Sequence, residues 1–409
     1  MTAESSPQVL EGYRVLDVGH ILAGPMTSSM LGDFGADVIQ IESPETGGGG
    51  ASGFLQQIMG RAGGTRPSRG YDLINRNKRN ITLDMRTEKG RDLFHRLVAV
   101  ADVVTENFRP YVMDRWGNGW EVLRRINPRL IYCRLSGFGQ TGPYRHRRAY
   151  GMIGEAFSGW SSQNGYVDGP VIHSSFSLGD TNESIWAATA IMAALYWRDA
   201  RGGGEGMMID QALFEPNLRC WEQIIISYDQ NGVVSSRFGP HHEATPYADV
   251  CKTKDGRYFS YSAFSYEAVD RLLETLSLKN DSRFNELNTC MENREAFWQT
   301  VRQWFLERTM DEVVAAFEKN GAIGCPVMNA EDLYHDPHVQ AREMVVSVPD
   351  PEGGDKPIEM QGIVPKLSAT PGRMRNANEY MGSRNEEIYC GLLGLSKDEL
   401  ADLMAERVI

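Results

Sequence analysis

The sequence has 409 residues, of which 41% are hydrophobic and 23% are charged, so its composition is that of a globular protein rather than a disordered or fibrous chain. A chain of this length favours two or three domains over one compact core. Its 54 acidic and 42 basic side chains leave a net charge of −12, which disfavours a protein that binds the backbone of nucleic acids. The charge balance still allows a local basic pocket for one phosphorylated ligand.

The first half of the chain alternates short apolar stretches with amphipathic ones. We predict strands at residues 13–19, 36–42, 80–85, 102–106 and 130–135, and helices at 26–34, 87–99 and 120–126. A strand–helix–strand step of about thirty residues implies a parallel pair with a crossover helix. The pattern therefore predicts an α/β fold with a doubly wound, Rossmann-like parallel sheet.

The second half has a different pattern. A long helix at 181–198 and a strand at 207–213 continue the first domain, and the pattern then changes to an alternating strand and several helices. We predict a large α/β domain at 1–229, a smaller α+β domain at 230–330, and a C-terminal segment at 331–409 that returns to the large domain.

Several common sites are disfavoured. The loop from His20 to Pro25 lacks the GxGxxG pattern of a dinucleotide site, and no Gly-x-Ser-x-Gly elbow of a serine hydrolase is present. Six scattered cysteines without a CxxC pair indicate reduced thiols, and the neighbouring His241 and His242 lack a third metal ligand. With no secretory signal and no apolar stretch of the roughly 18–20 residues that span a bilayer, we expect a cytoplasmic protein that binds no metal and no membrane.

The regular pattern lapses between Glu42 and Asp72, where glycines are frequent. This segment is either a solvated insertion or a lid over an anionic ligand, because four arginines lie in it or just after it. They are Arg61, Arg66, Arg69 and Arg76.

The segment from Ser177 to Ser184 leads directly into an apolar helix. We predict Asp180 at or just before the N-cap, where amide donors and the positive end of the helix would keep its carboxylate ionised. Gly179 would leave room for a bulky substrate beside that carboxylate. Taken alone, the segment also fits a plain capping aspartate.

Signature segments in a fixed order over about 200 residues resemble those of the class III CoA-transferase family, which is also called CaiB/BaiF-like. They are residues 16–17 with 23–25, 35–42, 77–84, 101–108, 127–131 with 136–139, and 168–170 with 179–180. Residues 253–256 and 324–327 are similar to segments of the family's small domain.

The resemblance implies a specific chemistry. Asp180 would be the nucleophile that forms a mixed anhydride with an acyl group and then an aspartyl-CoA thioester, from which CoA passes to an acceptor carboxylate. Coenzyme A would be a co-substrate, with no tightly bound cofactor. The family's fold implies an interlocked, ring-like dimer, either a homodimer or a heterodimer with a paralogous subunit. By resemblance, the residues that line the CoA path are His20, Ile21, Leu83, Arg86, Asn107, Phe108, Arg115, Arg148 and Tyr150.

Two alternatives stay open within the family. The α-methylacyl-CoA racemase branch has a histidine where this chain has Tyr150, and racemisation needs a second acid–base group, so CoA transfer is favoured. A non-catalytic subunit of a heteromeric transferase is the other alternative, and the presence of Asp180 argues against it.

The acceptor acid is less defined. Leu22 and Ser43 depart from the formyl-CoA transferase pattern, which disfavours oxalate and formate. The arginines at 61, 66 and 69 and the His241–His242 pair could recognise a second carboxylate, which favours a dicarboxylic acid with succinyl-CoA as a possible donor. An aromatic acid, a bile acid and carnitine are the alternatives.

Overall fold

A computed structural model describes residues 6–45, 70–350 and 356–409. The arginines at 61, 66 and 69 lie outside these described residues. The chain divides into two compact units. Unit 1 comprises Met1–Trp160, Ser174–Glu222 and Ala341–Ile409, and unit 2 comprises Ser161–His173 and Gln223–Gln340.

Unit 1 is built on a six-stranded sheet in which every strand pair is parallel. Its strands are β1 (Arg14–Asp17), β2 (Asp37–Glu42), β3 (Lys78–Thr82), β4 (Val103–Glu106), β5 (Ile131–Ser136) and β6 (Met208–Ala212). Their order across the sheet is β3-β2-β1-β4-β5-β6, so the winding direction reverses between β1 and β4. This order confirms the predicted doubly wound fold, in which ligands bind beyond the carboxyl ends of the strands at that reversal.

Helices cover both faces of this sheet and build most of unit 2. In chain order, they are α1 (Ala23–Asp33), α2 (Gly70–Asn75), α3 (Glu88–Ala99), α4 (Val112–Arg115), α5 (Trp120–Ile126), α6 (Gly151–Phe157), α7 (Trp160–Gln163), α8 (Leu178–Ala200), α9 (Phe214–Arg219), α10 (Ile224–Asn231), α11 (Tyr266–Thr275), α12 (Leu287–Glu292), α13 (Arg294–Leu306), α14 (Met310–Asn320), α15 (Ala330–His335), α16 (Pro337–Ala341), a π-helical segment (Glu386–Leu392) and α17 (Lys397–Ala405).

Two of these helices begin three residues earlier than predicted. Helix α1 includes Pro25 within its first turn. The N–H groups of a first turn have no partner within the helix, so the N–H that proline lacks costs no helical hydrogen bond. Helix α8 begins at Leu178 rather than at residue 181, which places Asp180 inside the helix.

The two faces of the large sheet bury different partners because successive side chains of a strand point to opposite sides. Val15 and Val38 face one side and pack with Leu31 of α1 and Ile191 of α8. On the other side, the core contains Leu16, Ile39 and Phe94 together with C-terminal side chains from Ile388 to Ile409.

Unit 2 has a three-stranded antiparallel sheet made of β7 (Ala248–Lys252), β8 (Tyr258–Ser262) and β9 (Gly324–Pro326). Aromatic side chains, including Phe259, Phe297 and Phe305, dominate its core. The unit also includes residues 161–173, which the sequence pattern assigned to the large domain. A separate two-stranded ribbon in unit 1 pairs β10 (Val345–Val348) with β11 (Ile358–Gln361).

Hydropathy identifies no helix in the described ranges that could span a membrane. All six cysteines are free thiols, of which Cys133, Cys251 and Cys290 are buried.

A buried ion pair holds the loop between β1 and α1. The Asp17 and Lys78 side chains are 0% and 1% exposed, and the Lys78 ammonium donates to Asp17 Oδ2 at 2.8 Å. The same ammonium donates to the carbonyl oxygen of Pro25 at 2.7 Å and to Asn75 Oδ1 at 3.0 Å. The other Asp17 oxygen accepts the backbone N–H of Gly19 at 2.9 Å. The pair therefore ties the carboxyl end of β1 to the first turn of α1.

Replacing Lys78 should destabilise the fold strongly. Lys78→Met should lower the free energy of unfolding by about 3–5 kcal/mol, because it leaves the buried Asp17 carboxylate without its counter-charge. Urea unfolding followed by circular dichroism measures the change. The control is Lys89→Met, which removes an exposed pair with Glu406 and should cost less than about 1 kcal/mol. Equal effects of the two substitutions would contradict this account of the loop.

Candidate active site

Asp180 lies in the first turn of α8, at the third helical position. The N-cap is Ser177, so the predicted place of Asp180 at or before the N-cap is wrong by three residues. The reason is that Leu178 and Gly179 already have helical geometry. The carboxylate nevertheless lies among the free N–H groups that begin every helix.

Two glycines bring the start of α8 against the start of α6. A Cβ atom at Gly179 would lie 2.4 Å from the carbonyl oxygen of Gly151, and a Cβ atom at Gly151 would lie 2.2 Å from Asp180 Oδ2. Both distances are far below van der Waals contact, so a side chain fits at neither position. Gly179 thus makes room for the backbone of α6, and the interpretation that it makes room for substrate is corrected.

Burial dominates the electrostatics of Asp180. Desolvation raises the pKa of its carboxyl group to about 6, and Glu155 adds to the increase. The backbone N–H groups of Gly151 and of Asp180 itself act in the opposite direction but only partly offset the burial. The expected backbone donors are therefore present but are outweighed by burial, and a carboxyl group with a pKa near 6 is still mostly ionised at pH 7.

The Asp180 carboxyl group faces a small cavity of about 60 Å³. Its lining comes from the first loop, the end of β5 and the starts of α6 and α8. The residues are His20, Ile21, Ala23, Asn107, Leu135, Ser136, Gly137, Ala149, Tyr150, Asp180, Glu183 and Leu213. We call this space the Asp180 cavity.

A larger cavity of about 600 Å³ adjoins the Asp180 cavity and shares part of its lining, including His20, Ile21 and Tyr150. It lies beyond the carboxyl ends of β1, β4 and β5, where a doubly wound sheet binds its ligand. Seven of the predicted CoA-path residues line it, namely His20, Ile21, Asn107, Phe108, Arg115, Arg148 and Tyr150. We call this space the arginine cavity.

The loop after β1 is clamped in an unusual conformation. The backbone N–H of His20 donates to Asn107 Oδ1 at 2.7 Å, and Asn107 Nδ2 donates to the carbonyl oxygen of His20 at 2.8 Å. The His20 ring stacks on Phe108 with 4.9 Å between ring centroids. Ile21 follows with φ of +67°, which costs a β-branched residue on the order of 1–3 kcal/mol. The Asn107 clamp therefore holds a strained turn at the junction of the two cavities.

The structure does not bring Leu83 and Arg86 to the arginine cavity as it is described. Leu83 is buried in the core of unit 1, on the face that packs the C-terminal residues. Arg86 is occupied by ion pairs with Asp84 and Glu45, both at 2.7 Å. Their side chains thus serve packing and local pairing in this structure.

The arginine cavity has cations that the sequence did not single out. Arg109 and Arg147 line it beside Arg115 and Arg148, and Arg147 lies over the Tyr144 ring at 3.6 Å. Within the described part of the chain, Arg109, Arg115 and Arg148 form no ion pair with a carboxylate. The segment Asn107–Pro110 at the end of β4 was a signal that could have identified Arg109. Unpaired guanidinium groups of this kind suit a phosphorylated ligand.

Arg76 does not belong to a lid. It is buried and donates to both Asp33 oxygens, at 2.9 Å from Nε and 2.6 Å from Nη2. Its interpretation as a ligand-facing arginine is therefore corrected.

The two neighbouring histidines of unit 2 have different surroundings. The His241 ring stacks on Trp298 at 3.6 Å, and its Nε2 accepts from Arg302 at 2.7 Å. Burial and the Arg302 charge lower the pKa of His241 to about 4, so it is uncharged at pH 7. His242 instead accepts the backbone N–H of Ala244. In the described ranges, no group of three or more metal-ligating side chains is assembled.

Comparisons with known proteins identify the family of this chain. The family described as CoA-transferase family III matches residues 10–385, and the chain therefore belongs to that family. It is 35% identical to a succinyl-CoA–D-citramalate CoA-transferase from Chloroflexus aurantiacus, over all of both chains. It is 33% identical to the β subunit of a succinyl-CoA–L-malate CoA-transferase from the same organism, over 98% of each chain. A crystal structure of a CAIB/BAIF family protein from Brucella suis has a TM-score of 0.81 and 30% identity, covering 94% of this chain and 100% of that one.

The close contact at Gly151 gives a direct test of the site. Gly151→Ala should lower CoA-transfer turnover by about 100-fold or more, because the added methyl group displaces the carboxylate from the backbone donors. Steady-state kinetics measures the loss, and thermal unfolding should show that the fold is kept. The matched control is Gly391→Ala, where a Cβ atom meets nothing within 4 Å. Similar turnover of the two variants would contradict the placement of Asp180.

Proposed function

We propose that this class III CoA-transferase moves CoA from succinyl-CoA to a dicarboxylic acid, with Asp180 as the covalent nucleophile. The observation that carries the proposal is a partly buried carboxylate facing a small cavity that adjoins a larger one with unpaired arginines. The named relatives support the substrates, since D-citramalate and L-malate are dicarboxylic acids and succinyl-CoA is the donor in both names.

In the proposed reaction, the Asp180 carboxylate is joined in turn to the succinyl group, to CoA and to the acceptor acyl group. The carboxylate attacks the thioester carbonyl of succinyl-CoA, the carbon–sulfur bond breaks, and a mixed anhydride and a CoA thiolate result. The thiolate attacks the Asp180 carbonyl and releases succinate, which leaves an aspartyl-CoA thioester. The acceptor carboxylate attacks this thioester and forms a second anhydride with release of the thiolate. The thiolate then attacks the acceptor acyl group, which yields the new acyl-CoA and regenerates Asp180.

Each step forms a tetrahedral carbon with a negatively charged oxygen. The backbone N–H groups of Gly151 and Asp180 lie on the reacting carboxyl group and are the donors we assign to that charge when it develops on the Asp180 carbonyl. A carboxylate needs no separate base to act as a nucleophile. A pKa near 6 also makes it more basic than an ordinary aspartate while it stays mostly ionised at pH 7.

The arginine cavity provides the binding energy for CoA. Arg109, Arg115 and Arg148 line this cavity and would contact the phosphates, and the stacked pair of His20 and Phe108 would offer an apolar surface. Binding through these remote groups would position the thioester at the Asp180 cavity.

A screen of acceptors with two Asp180 variants tests the proposal. With succinyl-CoA as donor, mass spectrometry should detect new acyl-CoA products with citramalate, malate or glutarate, and none with benzoate or carnitine. Asp180→Asn and Asp180→Ala should lose about 10⁴-fold or more in turnover, as enzymes do when a covalent nucleophile is removed. The control is Asp398→Asn, on the exposed surface of α17. Full turnover of the Asp180 variants, or no product with any acid, would overturn the proposal.

We further propose that the active species is a dimer, with either a second copy or a paralogous subunit. Helix α10 supports this, because it is rich in apolar residues yet buries none of them. Ile225, Ile226 and Tyr228 are each at least 60% exposed. One named relative is also a β subunit. Light scattering of the catalytically active species should give about twice the chain's mass of 45.8 kDa, and a catalytically active monomer would contradict the proposal.

A further inference from the structure

Glu183 lies beside the nucleophile and had no role in the sequence interpretation. It follows Asp180 by three residues on α8, so the two side chains share a face of the helix, and both line the Asp180 cavity. Its side chain belongs to the interior, with only 1% of the residue exposed. Glu183 Oε1 is buried and makes no hydrogen bond. The backbone N–H of Ser136 is a donor that faces the carboxyl group.

The surroundings of Glu183 contain acids rather than cations. Among the residues that the structure describes, no lysine, arginine or histidine forms an ion pair with it. The charged groups that act on it are Asp180 on its own helix and Glu215 on α9, which are both acidic. His20 faces the same cavity, but burial lowers the pKa of its imidazole, so it is uncharged at pH 7.

These surroundings favour the protonated form of Glu183. Desolvation, followed by the charges of Asp180 and Glu215, raises the pKa of its carboxyl group well above the usual range. Two neighbouring carboxyl groups in one buried site cannot easily both be ionised. Asp180, which is less buried and has two backbone donors, takes the charge, and Glu183 keeps a proton that can point into the cavity from Oε1.

We propose that Glu183 is a further catalytic residue, whose uncharged carboxyl group donates a hydrogen bond from Oε1 to the oxygen that becomes negatively charged when a tetrahedral intermediate forms beside Asp180. The proton stays on Glu183 throughout, so no bond to it is made or broken. The inference rests on the proposed function, since it assigns Glu183 to the same reaction.

A neutral donor is suited to this place for two reasons. An ionised Glu183 would repel both the Asp180 carboxylate and the incoming substrate carboxylate. A protonated carboxyl group in a buried site instead stabilises a developing oxyanion without adding charge, and its hydrogen bond is stronger there than in water.

Two substitutions separate the donor role from a structural one. Glu183→Met keeps a similar volume but removes the donor, and kcat should fall by about 100- to 1000-fold with little change in the KM for succinyl-CoA. Glu183→Gln keeps an N–H donor and should lose only about 10-fold or less. The control Glu205→Met, at an exposed position, should turn over normally. A Glu183→Met variant with wild-type kcat, or a Glu183→Gln variant as impaired as Glu183→Met, would overturn the proposal.

The pH profile reports the charge of Glu183 separately. In the wild type, kcat/KM should rise as Asp180 ionises, with an apparent pKa near 6. In Glu183→Gln this acidic limb should stay at the same pH, because one neutral group replaces another. A limb that moves to lower pH would show that wild-type Glu183 is ionised, and that result would overturn the proposal.

Infrared spectroscopy gives a readout that does not depend on turnover. The wild type at pH 7 should show a protonated carboxylic acid band that Glu183→Gln lacks. If the wild type shows no such band, the proposal is overturned, and this result does not depend on whether the variant folds. The outcomes also distinguish a failure of the proposed function from a failure of the role assigned to Glu183. If the Asp180 variants are inactive while Glu183→Met is unaffected, the proposed function stands and only the role of Glu183 fails.

Discussion

The contact between the Asp180 carboxylate and the backbone of Gly151 is the constraint on which the candidate active site depends. It requires the first turns of α6 and α8 to approach closer than any side chain would allow, which is why residues 151 and 179 are both glycine. Helix α8 is fixed for this approach, since Ser184 Oγ donates to the carbonyl oxygen of Ala23 in α1 at 2.9 Å. Helix α1 is in turn held by the buried pair of Asp17 and Lys78. A chain of specific contacts therefore leads from the sheet to the nucleophile.

Basic and acidic side chains are separated between the arginine cavity and the neighbouring Asp180 cavity. The chain as a whole is acidic, with a net charge of −12, yet the arginine cavity has guanidinium groups that pair with no described carboxylate. Among its described lining residues, the Asp180 cavity instead contains two carboxyl groups and no lysine or arginine, and backbone N–H groups face the Asp180 carboxylate. This division lets the cations bind a polyanionic ligand while the nucleophile keeps a raised pKa and the reactivity that accompanies it.

Much of this arrangement could be predicted from the sequence, because it depends on local patterns. The alternation of strands and helices indicated the doubly wound sheet, and the resemblance to the family indicated Asp180, His20, Asn107 and Arg115. The start of α8 was misplaced because Gly179 weakens the helical signal there. The close contact of Gly179 with Gly151 in α6 becomes apparent only in the fold.

The remaining differences also arise from tertiary contacts. Arg86 is in a suitable position along the chain, but ion pairs with Asp84 and Glu45 occupy it. Arg76 follows a glycine-rich segment and yet is buried against Asp33. In the sequence, Glu183 has no feature that distinguishes it from an ordinary helical glutamate. Only the fold shows that it is buried beside a second acid, Asp180, with no described cation that acts on it. Burial and charge pairing of this kind cannot be read from spacing alone.

Isotope transfer tests the covalent role of Asp180 most directly. When the acceptor acid carries ¹⁸O in its carboxylate, each turnover passes one acceptor oxygen to the nucleophile, because CoA leaves Asp180 by way of an anhydride with the acceptor. After turnover with succinyl-CoA, mass spectrometry of the proteolysed chain should find ¹⁸O in the peptide that contains Asp180, and at that residue on fragmentation. Turnover without ¹⁸O in Asp180, or with ¹⁸O at another residue, would contradict the account.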